Sequence, residues 1–289
     1  MAEKPSFASD YKKENVELVR QTCLYVATKL GDLLDDLVVV GGLVPSLLIP
    51  DESLPAGEDA HIGTMDLDLG LSLALLDTKR YEDLTLRLHR ADFKPDENEE
   101  GNSTLQRWII TPASDLKIAV DFLIQPSFEA DKGGELRHIE RDFAAVITPG
   151  LRLAFQDRQK ISLEGFTLLG EKASREIWVC GPGAFVVLKA LAFEQRGENK
   201  DEYDLYFMIR NYGSGVDEIC NCLGPLLKKE ETQKAFEILN RDFSEPDGVG
   251  PNRVARFLYG KPDADLQSDV VGFVKELLDK CDQIGQNHG

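Results

Sequence analysis

The chain has 289 residues, 42% of them hydrophobic, which is enough for two modest domains or one large one around a packed core. Its 33 basic and 51 acidic residues leave a formal net charge of −18, which excludes general electrostatic affinity for nucleic acid; any polyanionic partner must meet a local basic patch. No run approaches the ~18 apolar residues of a membrane span, the opening MAEKPSFASDYKKENVELVR lacks the apolar centre of a secretory signal, and five scattered cysteines read as free thiols, so a cytoplasmic protein with no membrane partner and no zinc is expected.

Residues 14–36 carry helix-spaced apolar positions, and LVVVGG reads as a short buried strand that ends in a turn at Gly41 and Gly42. A helix is expected over 43–49, followed by an acidic loop over 51–59. TMDLDLGLSL then alternates with period two, TKRYEDLTLRLHRAD has helical spacing, and TLQRWIIT and KIAVDFLI read as strands. LRLAF, ISLEGFTLL and EIWVC look like three further strands. From GPGAFVVLKALAFEQR onward nearly every segment is helix-patterned. The change of period places a boundary between an α/β domain over 1–180 and a helical domain over 181–289, an α+β protein.

Residues two apart in a strand point the same way, roughly 6.6 Å from each other. Asp66 and Asp68 therefore share one face of their strand while Met65, Leu67 and Leu69 take the other. Asp121 stands alone in KIAVDFLI. An acid in such a strand needs either a basic partner or a cation. Three acids on neighbouring strands suit divalent ions: Mg²⁺ takes oxygen ligands, usually a few carboxylates together with substrate phosphates, as in two-metal phosphoryl or nucleotidyl transfer. The glycine pair between strand and helix supplies backbone N–H groups that phosphate can approach without a Cβ in the way. Neither a Walker motif nor GxGxxG is present.

Strand, Gly41-Gly42, helix, TMDLDL and then the acid of VDFLI, over about residues 37–124, resembles the DNA polymerase β-like nucleotidyltransferase superfamily. The resemblance implies a small mixed sheet, metal on Asp66, Asp68 and Asp121, and triphosphate at the glycine turn. The superfamily often has Gly-Ser where this chain has Gly-Gly, so its serine contact is either missing here or made by Ser46.

Lys189 is the one charge in AFVVLKALAF, where an ammonium either snorkels to water or meets negative charge. Beyond it, Lys200 and Asp204 stand four apart, on one helical face, with Asp201 between them. LKALAFEQRGENKDEYDLYF resembles the second signature of AbiEii/AbiGii-type nucleotidyltransferase toxins: a helix lysine, an arginine, then Lys-Asp-x-x-Asp. Lys189, Lys200, Asp201 and Asp204 match it. The resemblance implies transfer of a nucleotide from an NTP held between the domains, with two Mg²⁺ ions, Lys189 offsetting the triphosphate charge, tRNA or other RNA as an acceptor in some members, and a cognate antitoxin protein as partner. Related transferases modify proteins or small molecules, and a nucleotide-binding module without catalysis is the remaining alternative, against which the three intact acids count. Lys79, Arg80, Arg87 and Arg90 fall within an arc of about 100° on a helical projection, a basic stripe that is either an RNA contact or an ordinary solvated face.

Overall fold

The computed structural model describes residues 5–72, 78–111 and 117–287, the side chains of Thr78, Lys79 and Asn287 excepted. The chain runs through α1 (Lys13–Leu30), β1 (Leu37–Val40), α2 (Val44–Leu48), β2 (Asp66–Leu71), α3 (Thr78–Arg90), β3 (Lys94–Glu97), β4 (Ser103–Ile110), β5 (Ile118–Ile124), β6 (Leu136–Glu140), β7 (Phe143–Ile147), α4 (Leu151–Gln156), β8 (Arg158–Phe166) and β9 (Lys172–Cys180). Helices follow: α5 (Pro182–Arg196), α6 (Asn199–Asn211), α7 (Val216–Leu223), α8 (Glu230–Asp242), α9 (Val249–Tyr259) and α10 (Ala264–Asn287). This is the α+β class. The final residue of the expected TMDLDLGLSL strand, Leu73, lies outside the described residues.

Two compact units divide the chain. The first contains Lys12–Leu43 and Gly63–Cys180; the second contains Pro5–Tyr11, Val44–Ile62 and the chain from Gly181 on. The second unit thus takes up two segments that the sequence reading grouped with the α/β part.

In the first unit, the β-branched run of β1 is buried at all four positions, and β5 alternates: Ile118, Val120, Phe122 and Ile124 are buried on one face while Ala119, Asp121 and Leu123 look the other way. The strand order is β3-β4-β5-β2-β1-β9-β8, with β7 also pairing β5, and β6 pairing β7. The sheet is mixed. β2 runs parallel to β5, β1 to β9 and β5 to β7, whereas the β1/β2, β4/β5 and β8/β9 pairs are antiparallel. Phe122 and Phe143 pack with ring centroids 5.0 Å apart under Trp108, so the core lies beneath the apolar face of β5.

The strand expected at LRLAF is a helix, α4. Leu151 and Leu153 satisfy an alternating pattern, but Ala154 is buried with them, as in a helical turn, and Gly150 at φ +80° starts it. Five residues are too few to separate the two periods. The strands β3 and β6 carry polar or mixed patterns, and β7, FAAVI, is a short continuous apolar run whose two alanines favour no strand; the sequence reading assigned none of the three.

In the second unit, Pro182 opens α5 in the first helical turn and left-handed Gly197 closes it. Its surface is buried almost all round, against α6, α7 and α8. No described helix is long and apolar enough to cross a membrane.

Candidate active site

β2 and β5 lie side by side in parallel register, and the register sets Asp68 opposite Asp121 and Asp66 opposite Ala119. Directly paired residues share a face, so the three carboxylates that the sequence singled out sit on one side of two adjacent strands, with Leu67 and Leu69 buried on the other. Thr64, buried just before β2, donates from Oγ1 to Asp66 Oδ1 at 3.0 Å. Val40, the last residue of β1, pairs with Asp68, which brings the glycine turn to the acids.

Gly41 adopts φ +71°, a conformation open to glycine and strained for other residues; a Cβ there would stand 1.9 Å from Asp68 Oδ2. Gly41, Gly42 and Leu43 form a single 3₁₀ turn before α2.

A residue that sequence reasoning passed over completes the cluster. Arg107 on β4 pairs with Asp121 across the antiparallel register and donates twice to it, Nε to Oδ1 at 2.7 Å and Nη2 to Oδ2 at 2.5 Å; Asp66 Oδ2 lies 3.6 Å from the same Nη2. Bonding to Asp121, against the effect of burial, holds the guanidinium above its ordinary pKa, with Asp66 and Asp68 adding to it. The side chains are 20% exposed for Arg107 and 13% for Asp66 and Asp121, so this is a nearly dry ion pair. Of the two explanations for a strand-buried acid, Asp121 therefore has the basic partner. Among the described residues no set of three His, Cys, Asp or Glu side chains is arranged to hold a metal ion. The donor set itself suits a hard divalent cation on Asp66 and Asp68; a cation on Asp121 has to displace Arg107.

The second signature lies in the second unit and forms a buried ionic network of its own. Lys189 Nζ donates to Asp201 Oδ1 at 2.8 Å and to Asp204 Oδ2 at 2.7 Å, and Lys200 Nζ donates to Asp204 Oδ1 at 2.6 Å. Arg196 forks onto Asp201 at 2.7 and 2.8 Å. Lys189 neither snorkels nor draws its counter-charge from the strand acids: it is buried, and Asp201 and Asp204 supply that charge from the next helix. Burial alone would raise both carboxyls, but Lys189 with Arg196 brings Asp201 down to about 2, and Lys189, Lys200 and His61 hold Asp204 lower still.

Asp204 also fixes His61, which stacks on Tyr203 with ring centroids 5.3 Å apart. His61 Nε2 meets Asp204 Oδ1 at 2.9 Å, and Ser46 Oγ meets His61 Nδ1 at 3.1 Å. Burial pushes the imidazole down to about 4, against the pull of Asp204, so it is neutral at pH 7. An ionised carboxylate only accepts; His61 therefore carries its hydrogen on Nε2, and Nδ1 accepts the hydroxyl hydrogen of Ser46. Ser46 thus spends its one donor on His61. A phosphate oxygen would need that same hydrogen, which weighs against Ser46 in the serine role the resemblance left open.

The basic stripe on α3 is half engaged within the first unit. Arg80 pairs with Asp36 at 2.7 Å, and Arg87 pairs with Asp32 at 2.6 Å and Asp83 at 2.7 Å and donates to the Leu30 carbonyl. Arg90 is exposed, and the side chain of Lys79 lies outside those described.

No protein-family model matches the chain, and no curated protein matches it. Among solved structures it is similar to an antigenic nucleotidyltransferase-like protein from Paracoccidioides brasiliensis, at 17% identity over 76% of this chain and 93% of that one, with a TM-score of 0.38. A likeness at that score carries no weight for the chemistry, which rests on the side chains described above.

Proposed function

We propose that the protein is a nucleotidyltransferase that moves the nucleotidyl group of an NTP onto an acceptor hydroxyl, with Mg²⁺ held by Asp66, Asp68 and Asp121. The observation that carries this reading is the pairing of Asp68 with Asp121 across parallel strands, with Asp66 on the same face and Gly41 clearing the space Asp68 occupies. Bound divalent cations would neutralise the triphosphate and stabilise charge on the attacking and leaving oxygens. The backbone N–H groups of Gly41 and Gly42 seat phosphate oxygens. Asp121, once released by Arg107, takes the proton of the acceptor hydroxyl as its oxygen bonds to the α-phosphorus and the bond to pyrophosphate breaks. Arg107, freed from Asp121, is the cation available to the phosphates. Lys189, Lys200 and Asp204 serve as positioning residues that join α5 to α6 and fix His61.

RNA is the first acceptor to test, with the toxin-like role and an antitoxin partner that follow from it. A second reading, a hydroxyl on a protein or small molecule, is favoured by the ion pairs that engage Arg80 and Arg87. The test is incubation with each α-labelled NTP and Mg²⁺, with total RNA or with lysate protein, beside Asp68→Asn. Label in RNA selects the first acceptor and label in protein or a small molecule the second. Label equal in wild type and Asp68→Asn, or none with any NTP, removes the transferase reading.

A further inference from the structure

Two cysteines in the second unit take no part in anything described so far. Cys220 on α7 and Cys281 on α10 are each 2% exposed, and their sulfurs lie 3.2 Å apart with nothing between them. Both are free thiols. Cys281 donates its hydrogen to Cys220 Sγ, and Cys220 faces the Leu277 carbonyl at 3.6 Å.

The two thiols are chemically unequal. The hydrogen bond from Cys281 holds the Cys220 thiol below its ordinary value against the effect of burial, while the same bond and burial push Cys281 up. Cys220, which lines the larger surface groove, is the sulfur a small disulfide meets first, and Cys281 stands 3.2 Å away to follow it. Access comes through the surface. Cys220 lines a groove of about 810 Å³ with Asn221 and Lys228, and Cys281 lines an adjoining one of about 350 Å³; Leu227, Gln233 and Gly285 border both. Pockets of ~300–1,000 Å³ accept small molecules, so a small peptide disulfide fits beside the pair and meets a sulfur when α7 and α10 part locally. Cys222 is no competitor for Cys281: two residues along α7 it points about 200° around the helix axis from Cys220.

We propose that Cys220 and Cys281 are a thiol pair that low-molecular-weight disulfides convert into a reversible cross-link pinning α10 to α7. The Cys220 thiolate attacks one sulfur of the small disulfide and expels the other as a thiolate. Cys281 then gives up its proton and attacks Cys220 Sγ in the mixed disulfide, and the second small thiol departs. Two protein thiols are oxidised, one small disulfide is reduced to two thiols, and the two protons leave on them. This rests on the packing of α7 against α10 and is independent of nucleotide chemistry.

The experiment uses the full chain, fully reduced, incubated with glutathione disulfide, quenched with acid and analysed by intact mass, thiol titration after denaturation, and peptide mapping. The expected result is a species two hydrogens lighter, with two of the five thiols lost and the Cys220 and Cys281 peptides joined. Cys281→Ala should instead retain one glutathione on Cys220, because the second step is gone, and Cys222→Ser should behave as wild type. Five intact thiols after incubation, a stable glutathione adduct on the wild-type protein, or a cross-link through Cys222 would each overturn the proposal. If Cys281→Ala fails to fold, the wild-type mass and peptide map still decide it.

Discussion

Asp68 fills the space that a side chain at Gly41 would need: a Cβ on residue 41 would stand 1.9 Å from Asp68 Oδ2 and 2.8 Å from its Cγ. The turn and the acid therefore constrain each other, although 27 positions separate them in sequence (68 − 41). Glycine here does two things at once, since it also holds φ +71° without strain.

Replacement of Gly41 by Ala should add about 1–2 kcal/mol of left-handed backbone strain and drive the Asp68 carboxylate from its place. Misplacement of a catalytic group by about an ångström can lower a rate by roughly a hundredfold, so labelled-NTP transfer should fall by about that factor while the fold survives. A melt and a transfer assay on Gly41→Ala check this. Wild-type rates in the variant would mean that Asp68 is not needed where it sits.

Arg107→Met should destabilise the metal-free protein by about 2–3 kcal/mol, less than the ~3–5 kcal/mol for breaking a fully buried pair because these side chains keep some contact with water. It leaves Asp121 without its guanidinium. Mg²⁺ should then restore part of the loss, and the rise in Tm with Mg²⁺ should be larger in Arg107→Met than in wild type. Equal rises in the two proteins would show that the cation does not share Asp121 with Arg107.

Lys189→Met should lower stability by about 3–5 kcal/mol, since it strands Asp201 and Asp204, whose side chains are 2% and 0% exposed. Urea unfolding provides the measurement. A variant that keeps its stability but loses nucleotide affinity would return Lys189 to the triphosphate-binding role implied by the toxin resemblance.

Two buried groups in the second unit should oppose each other as pH changes. Burial pushes Glu202 up to about 7, with Arg253 at 2.9 Å pulling the other way and its Oε2 without a hydrogen-bond partner among the described residues. That carboxyl contributes stability below its unfolded value near 4.5, lost as pH rises toward 7. His61, pushed down to about 4, contributes stability above 6.5 that is lost as pH falls toward 4. Each effect amounts to about 3 kcal/mol over its window, at 1.36 kcal/mol per unit. In the wild type they should nearly cancel between pH 4.5 and 6.5. Glu202→Gln should expose a stability that climbs with pH across that interval, measured by urea unfolding at a series of pH values. A flat profile in the variant would show that the imidazole titrates normally.

The strand acids were legible because an isolated charge in an apolar period-two pattern is conspicuous, and the Lys200–Asp204 contact because helical spacing alone dictates it. Arg107 carries the same mark as Asp121, a lone cation inside TLQRWIIT, but nothing local says which strand it will pair with or at what offset. That register is settled by sheet packing across the connection between β4 and β5. His61 left even less trace, in a polar loop whose partner is 143 residues away. Long-range partners of single polar residues are what periodicity cannot encode, whereas the elements that carry them largely are encoded; the helix at LRLAF is an exception caused by shortness.

The second unit draws on chain made long before most of it. Residues 44–62 supply Glu58, His61 and the Ile62 N–H that donates to Tyr203 Oη, with Ser46 bonded to His61 within the segment, and the partners of the first three, Arg210, Asp204 and Tyr203, all lie on α6. On a ribosome that segment leaves the exit tunnel more than a hundred residues ahead of α6, so it must wait for its α6 partners while the chain between them is made. The same separation applies at the bench: a fragment beginning at Gly181 would contain Asp204 with its two lysines but no imidazole, and a fragment ending at Cys180 would carry His61 with no carboxylate to orient it. Neither half is a natural unit of expression, and slow assembly through distant contacts is the expected folding behaviour.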